Sequence, residues 1–166
     1  ETPKGVLRAE DIAAAPGVAV LVMGTSDLTK DLHARHTAGR APMLASLGLC
    51  LLAARSFGRG IVDGVHLDLA DESGFESACR QGVELGFDGK TLIHPKQVDA
   101  CNRVFAPSPA EVAEARNIIA AFEAARRAGQ GVTVVDGKLI EALHVDNARR
   151  VASLSEAIAR RAQVVV

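Results

Sequence analysis

Gly24-Thr25-Ser26-Asp27 follows the apolar run 17–22, and its order of residue types is that of a ligand site. Glycine lets the backbone approach a bound group, the next amides can donate hydrogen bonds, and a carboxylate can hold a cation. Asp27 is therefore a candidate metal ligand, and the amides of Thr25, Ser26 and Asp27 are candidate donors to an anion. Other residues able to do chemistry occupy matching places. Asp68 and Asp71 follow a second apolar stretch, His94 follows a third, and Glu1 opens the chain. In parallel α/β folds, ligands sit at the carboxyl ends of strands. A strand before Glu1 would put it at such an end too, and Glu1 and Asp27 would then flank one site. Two carboxylates with open positions suit Mg²⁺, which keeps several waters and takes oxygen ligands from substrate.

Each candidate also has a plainer reading. Asp27 suits a helix cap. His94 before Pro95 and Asp63 before Gly64 suit turns. His33 and His36 share a metal-binding spacing on an expected helix, but no third ligand is near, which fits a solvated face. Cys50, Cys79 and Cys101 read as core filler. The pairs Arg149-Arg150 and Arg160-Arg161 read as solvated helix faces.

The elements that must position these residues follow from apolar patterning. Residues 18–23 are short and continuously apolar, as in a strand buried on both faces. Ser26 is expected to cap a helix through 27–35. Residues 41–57 predict an apolar helix with Pro42 in its first turn and Gly58 past its end. A strand is expected at 61–69, a helix at 72–86 ending at Gly86, and a third strand at 90–93. This alternation indicates βαβ units and a parallel sheet. Beyond 94 the pattern changes. A short helix starts at Pro95. Ser108-Pro109-Ala110-Glu111 forms a capping box that opens a helix to Arg127, with Val112, Ala115, Ile119 and Phe122 on one face. Residues 131–140 predict a hairpin turning at Asp136-Gly137. A last helix is expected over 143–162, with the tail 164–166 frayed or docked.

Composition excludes several functions. The 166 residues carry a net charge of -1, with no Trp or Tyr and five Phe. Nucleic acid has neither a basic patch nor a stacking surface to bind. No apolar run is long enough to span a membrane. Three scattered cysteines fit neither a disulfide framework nor a zinc cluster, and suit a reducing cytoplasm. Three parallel strands leave two open sheet edges, and a whole (β/α)8 barrel takes about 250 residues. With a start at Glu1 rather than Met, the expectation is that an upstream part is absent.

The motifs, taken in order, resemble a known family. Glu1-Thr2, GTSDL at 24–28, DGVHLDLAD at 63–71, GFDGKTLIHPKQV at 86–98, FAPSPAEVAEA at 105–115 and GVTVVDGKLIE at 131–141 are similar to the CitE-like branch of the HpcH/HpaI aldolases. That branch comprises the citrate lyase beta subunit and the malyl-CoA and methylmalyl-CoA lyases. The resemblance implies a TIM barrel, here its second half (about strands 6–8, residues 1–107). A C-terminal helix–hairpin–helix extension, residues 108–166, would serve oligomer contacts. It implies an Mg²⁺-dependent lyase acting on malyl-CoA-type thioesters, giving acetyl-CoA or propionyl-CoA plus glyoxylate. Citryl and citramalyl thioesters are alternative substrates. Glu1 and Asp27 match the family's magnesium ligands. Gly24, Thr25, Ser26 and Asp27 match the segment that holds the 2-oxoacid carboxylate, and Ile93, His94 and Pro95 the loop that contacts the CoA thioester. Glu141 stands at a position that is usually Asp, where in several members the carboxylate moves a proton in a neighbouring subunit's site; its reach is one methylene longer. A homotrimer or homohexamer is what the resemblance implies, and the cysteine usage is what suits the cytoplasm. The family's first strands, with a substrate-binding Arg, have no counterpart in these residues. The rival expectation is a non-catalytic half-barrel or interaction module.

Overall fold

The computed structural model describes residues 1–164, and the chain forms two compact units, Glu1–Phe105 and Ala106–Val166. The first unit begins with two short helices, α1 (Pro3–Leu7) and α2 (Ala9–Ala14). Thr2 caps α1 by accepting from the Gly5 amide at 3.0 Å, with Pro3 at a position that needs no donor. Strand β1 (Val20–Val22) leads to α3 (Thr25–Asp31), then a 3₁₀ turn (Ala41–Met43) and α4 (Leu44–Ser56). Next come β2 (Gly60–Asp63), α5 (Glu72–Leu85) and β3 (Gly89–Lys90). A 3₁₀ turn (Pro95–Gln97) and α6 (Val98–Phe105) close the unit. The sheet is parallel in the order β1-β2-β3, with Val20 opposite Gly60 and Val62 opposite Gly89. These are the βαβ units that the alternation predicts.

Ile61 packs with Leu28, Leu47 and Ala54 into the core between sheet and helices. Full burial of residues the size of Ile61, Leu28 and Leu47 contributes about 1.5–3 kcal/mol each. The opposite face of β1 is open, with Val20 and Val22 more than half exposed, so the strand is not buried on both sides as expected. The strands are also shorter than the apolar runs. After Asp63 the chain leaves the ladder, because the Gly64 amide donates to Asp63's own Oδ1 at 2.8 Å. After Lys90 the ladder makes one more bond, from the Thr91 amide to the Asp63 carbonyl. The Ile93 amide then donates to the Gln97 side chain instead.

Helix α3 stops at Asp31 rather than running to 35. His33 adopts φ +52°, and the amides of His33 and Ala34 donate back to Lys30 and Thr29, closing a Schellman-type end. His33 and His36 therefore do not share a helix. Gly86, at φ +100°, ends α5 as the sequence predicts.

The second unit has α7 (Pro109–Arg127), the hairpin β4 (Thr133–Val135) and β5 (Lys138–Ile140), and α8 (Ala142–Val164). Ser108 and Glu111 form the predicted capping box, in which the Ser108 amide donates to Glu111 at 2.7 Å and the Glu111 amide to Ser108 Oγ at 3.2 Å. Asp136 and Gly137 both have positive φ, 48° and 76°, which is the mirror-image turn that suits a two-residue hairpin. Phe122, Val135, Ile140 and Val145 make this unit's core. Of the expected α7 face, Ala115 and Phe122 are buried. Of the tail, residues 165 and 166 lie outside the described residues.

Candidate functional site

The loop after β1 is built by close packing at two glycines. A Cβ on Gly24 would lie 2.3 Å from Glu1 Cβ and 3.1 Å from Glu1 Oε2, so only glycine lets Glu1 lie against this loop. A Cβ on Gly64 would lie 2.1 Å from Thr25 Oγ1 and 2.6 Å from its Cγ2. Thr25 is thus held in the first turn of α3, buried between its own helix and the loop after β2. Its carbonyl accepts from Thr29 Oγ1 at 2.7 Å. Gly24, not Ser26, is the N-cap, and no side chain caps this end. Ser26 falls inside the helix because Thr25, pinned against Gly64, starts it two residues earlier than expected.

Glu1 and Asp27 are both exposed carboxylates, Glu1 packed against Gly24 of this loop and Asp27 in the first turn of α3. Asp27 has a loose ion pair with Lys30 at 3.7 Å. Surface pairs of this kind contribute little, which leaves the Asp27 oxygens open to another cation. Among the described residues no group of three or more His, Cys, Asp or Glu side chains is placed to hold a metal. A site here would have two protein carboxylates at most, a donor set of the kind magnesium accepts alongside waters and substrate oxygens.

The other predicted residues are placed separately. His94 caps the 3₁₀ turn, its Nδ1 accepting from the Lys96 amide at 3.2 Å. Ile93, His94 and Pro95 are exposed, while Gln97 behind them is buried and donates to the His66 carbonyl at 3.2 Å. Asp68 accepts from the Ala70 amide and Asp71 caps α5 through the Gly74 amide, both at 2.9 Å. The hydrogen bonds from Gly74 and then Ser73 hold the Asp71 carboxyl below the ordinary Asp range. Both carboxylates are thus spent on local turns. A cavity of about 200 Å³ lies beside them, with Phe75, Lys96, Gln97 and Arg103 in its wall, and neither Glu1 nor Asp27 lines it. Glu141 belongs to the second unit. It is exposed just before α8, its amide donating to His144 Nδ1 at 3.0 Å.

One cluster escaped the sequence reading. Asp63 is not a simple turn residue: it is fully buried at the end of β2. Arg40 Nη1 donates to both its carboxylate oxygens at 2.8 and 2.6 Å, and Lys90 Nζ to Oδ2 at 3.0 Å. Arg40 Nε also donates to Gln81 Oε1 at 2.6 Å. Nothing local flags this trio, because its members are 23 and 27 residues apart. The hint available was a Lys and an Asp each inside an apolar strand, where an unpaired charge is costly. Nearby, the buried Cys79 and Cys101 pack together and all three cysteines are free. Their mutual proximity pushes the Cys79 thiol up and holds the Cys101 thiol down.

Residues 1–95 match the model of the HpcH/HpaI aldolase/citrate lyase family. The chain belongs to that family. Its parallel sheet and flanking helices are accordingly part of a (β/α)8 barrel. The (3S)-malyl-CoA thioesterase of Cereibacter sphaeroides is 55% identical over 159 residues, covering 96% of this chain and 56% of the relative. The citrate lyase subunit beta of Escherichia coli is 36% identical over 157 residues, covering 94% and 52%. The L-malyl-CoA/beta-methylmalyl-CoA lyase of Cereibacter sphaeroides is 33% identical over 183 aligned positions, covering 99% and 55%. The CitE protein of Mycobacterium tuberculosis, solved with magnesium, acetoacetate and coenzyme A, superimposes with a TM-score of 0.79 at 29% identity, over 93% of this chain and 58% of that one. This chain spans about half the length of the curated relatives it matches. No helix among the described residues is long and apolar enough to cross a membrane.

Proposed function

We propose that this chain forms part of a Mg²⁺-dependent enzyme acting on malyl-CoA-type thioesters. The observation that carries the reading is the seating of Glu1 on Gly24, which puts a second carboxylate on the loop that bears Asp27. Glu1 and Asp27 would hold the metal. The amides of Thr25, Ser26 and Asp27 would orient the substrate carboxylate, and the exposed Ile93–Pro95 loop would meet the CoA thioester. Magnesium bound there would supply Lewis-acid polarisation of substrate oxygens. Glu141, contributed by a neighbouring copy in a homotrimer or homohexamer, would move the proton as general acid or base.

Two bonds are candidates for cleavage. The 55% identity to a (3S)-malyl-CoA thioesterase favours hydrolysis of the C–S thioester bond, giving malate and free CoA. The lower identities to a malyl-CoA lyase and a citrate lyase subunit favour the retro-aldol reading, in which the C–C bond breaks to acetyl-CoA and glyoxylate. Hydrolysis is the preferred assignment because it rests on the higher identity.

The test is product analysis with (3S)-malyl-CoA, magnesium and the purified protein. Free CoA with malate supports hydrolysis, and acetyl-CoA with glyoxylate supports C–C cleavage. Absence of both, or a rate indifferent to EDTA, overturns the proposal. Asp27→Ala is expected to lose well over tenfold in rate, since an outer ligand alone is worth about 10–100-fold in metal affinity.

A further inference from the structure

The Asp63 cluster carries an inference that rests on the reading of Glu1 and Asp27 as the metal-binding pair. We propose that Asp63 is a positioning residue for that pair, acting through Gly64 and Thr25.

The connection runs atom by atom. Arg40 and Lys90 grip the Asp63 carboxylate from two sides with three hydrogen bonds of 2.6–3.0 Å. Asp63 is fully buried and the Lys90 side chain only 1% exposed, so the carboxylate has no room to rotate into water. The gripped Oδ1 accepts from the Gly64 amide at 2.8 Å and so fixes the first residue of the loop after β2. The Gly64 Cα in turn abuts the Thr25 side chain so closely that no Cβ fits between them. Thr25 follows Gly24, on which Glu1 rests, and precedes Asp27 by half a helical turn. Asp27 thus hangs from, and Glu1 rests against, a segment whose position is set by one buried carboxylate that touches neither of them.

Arg40 Nη2 is buried without a partner, whereas its Nε is held by Gln81. Gln81 accepts from Arg40 Nε and donates to the Gly39 carbonyl at 2.8 Å. Arg40 itself has φ +52°, a conformation that side-chain-bearing residues avoid. The grip of its Nη1 on both Asp63 oxygens offsets that strain. A buried ion cluster kept only for stability would need no contact with the β1 loop. This one is linked to it through the single residue that follows Asp63.

The experiment is Mn²⁺ binding, followed by electron paramagnetic resonance on the full chain without substrate, together with a circular dichroism spectrum of each variant. Gly64→Ala forces Thr25 away by more than an ångström. Thr25→Ala leaves slack at the same contact and cannot overpack. Asp63→Ala removes the acceptor of the Gly64 amide. Folded variants of this set are expected to bind Mn²⁺ about tenfold more weakly, the usual cost of losing an outer support of a metal site. Should Gly64→Ala fail to fold, Thr25→Ala still decides the matter. Mn²⁺ affinity within twofold of the parent in the folded variants, with binding lost in Asp27→Ala, overturns the positioning role and leaves the ligand assignment standing. Undiminished binding in Asp27→Ala overturns both.

Discussion

Removing the Asp63 carboxylate strands two cations in a space closed to water. Lys90 is 1% exposed at its side chain and Arg40 16%, against 0% for Asp63. Deleting one partner of a buried ion pair costs about 3–5 kcal/mol, because the remaining charge is left without compensation. Asp63→Ala is therefore expected to lower unfolding free energy by about that amount. Lys90→Met behaves differently. It deletes the more deeply buried cation, fills a similar volume with an apolar chain, and leaves Arg40 Nη1 on both Asp63 oxygens. Asp63 keeps its Arg40 partner and is not left uncompensated, so the loss is expected to stay below the roughly 3 kcal/mol at the foot of that range. The decisive comparison is the double variant. With Lys90 gone there is one stranded cation fewer, so Asp63→Ala in the Lys90→Met background should cost less by about 2 kcal/mol, within the range found for contacting pairs. Urea denaturation followed by circular dichroism measures this; the chain has no Trp or Tyr to report by fluorescence. Additive effects, or an Asp63→Ala loss below about 1 kcal/mol, would refute the view that a desolvated charge balance holds this end of the sheet.

Acid stability should show the Asp71 cap. Its folded carboxyl lies below the ordinary 3.8, first through the Gly74 amide and then the Ser73 hydroxyl. A depressed folded pKa contributes stability that is complete above the unfolded value and is lost as pH falls through the folded one. The urea midpoint is thus expected to drop below pH 3.8, and more steeply than in Asp71→Asn. Identical acid profiles for the two proteins would dispose of the cap's contribution. His33 closes α3 at φ +52°, where glycine is favoured; His33→Gly should stabilise by up to about 1 kcal/mol, read as a raised urea midpoint. A lowered midpoint would mean that the imidazole has a role the backbone does not reveal.

Local signals specify the structure wherever the determinant lies within a few residues. Ser108 with Glu111, Asp136 with Gly137, and Gly86 each specify a cap or turn through neighbours in the chain, and each forms as expected. The apolar runs place three strands and their crossovers in the right order. They overstate strand length, because the ends at Asp63 and Lys90 are set by side-chain bonds that periodicity does not carry. The motif order from Glu1 to Glu141 was enough to recognise the family, since those residue types recur in order and a plain loop has no need of them.

What lay beyond the sequence is contact between distant segments. That Gly24 accepts Glu1, and Gly64 accepts Thr25, depends on where β1 and β2 deliver their loops. That Asp63 is a buried ion-paired group rather than a turn residue depends on Arg40 and Lys90 arriving from either side. The sequence by itself determined which residues can cap, turn and bind, because those properties belong to single side chains and their immediate neighbours. Only the tertiary structure decided which charges share a dry space and which glycines have no room for a methyl group, because desolvation and steric exclusion are properties of the packed assembly.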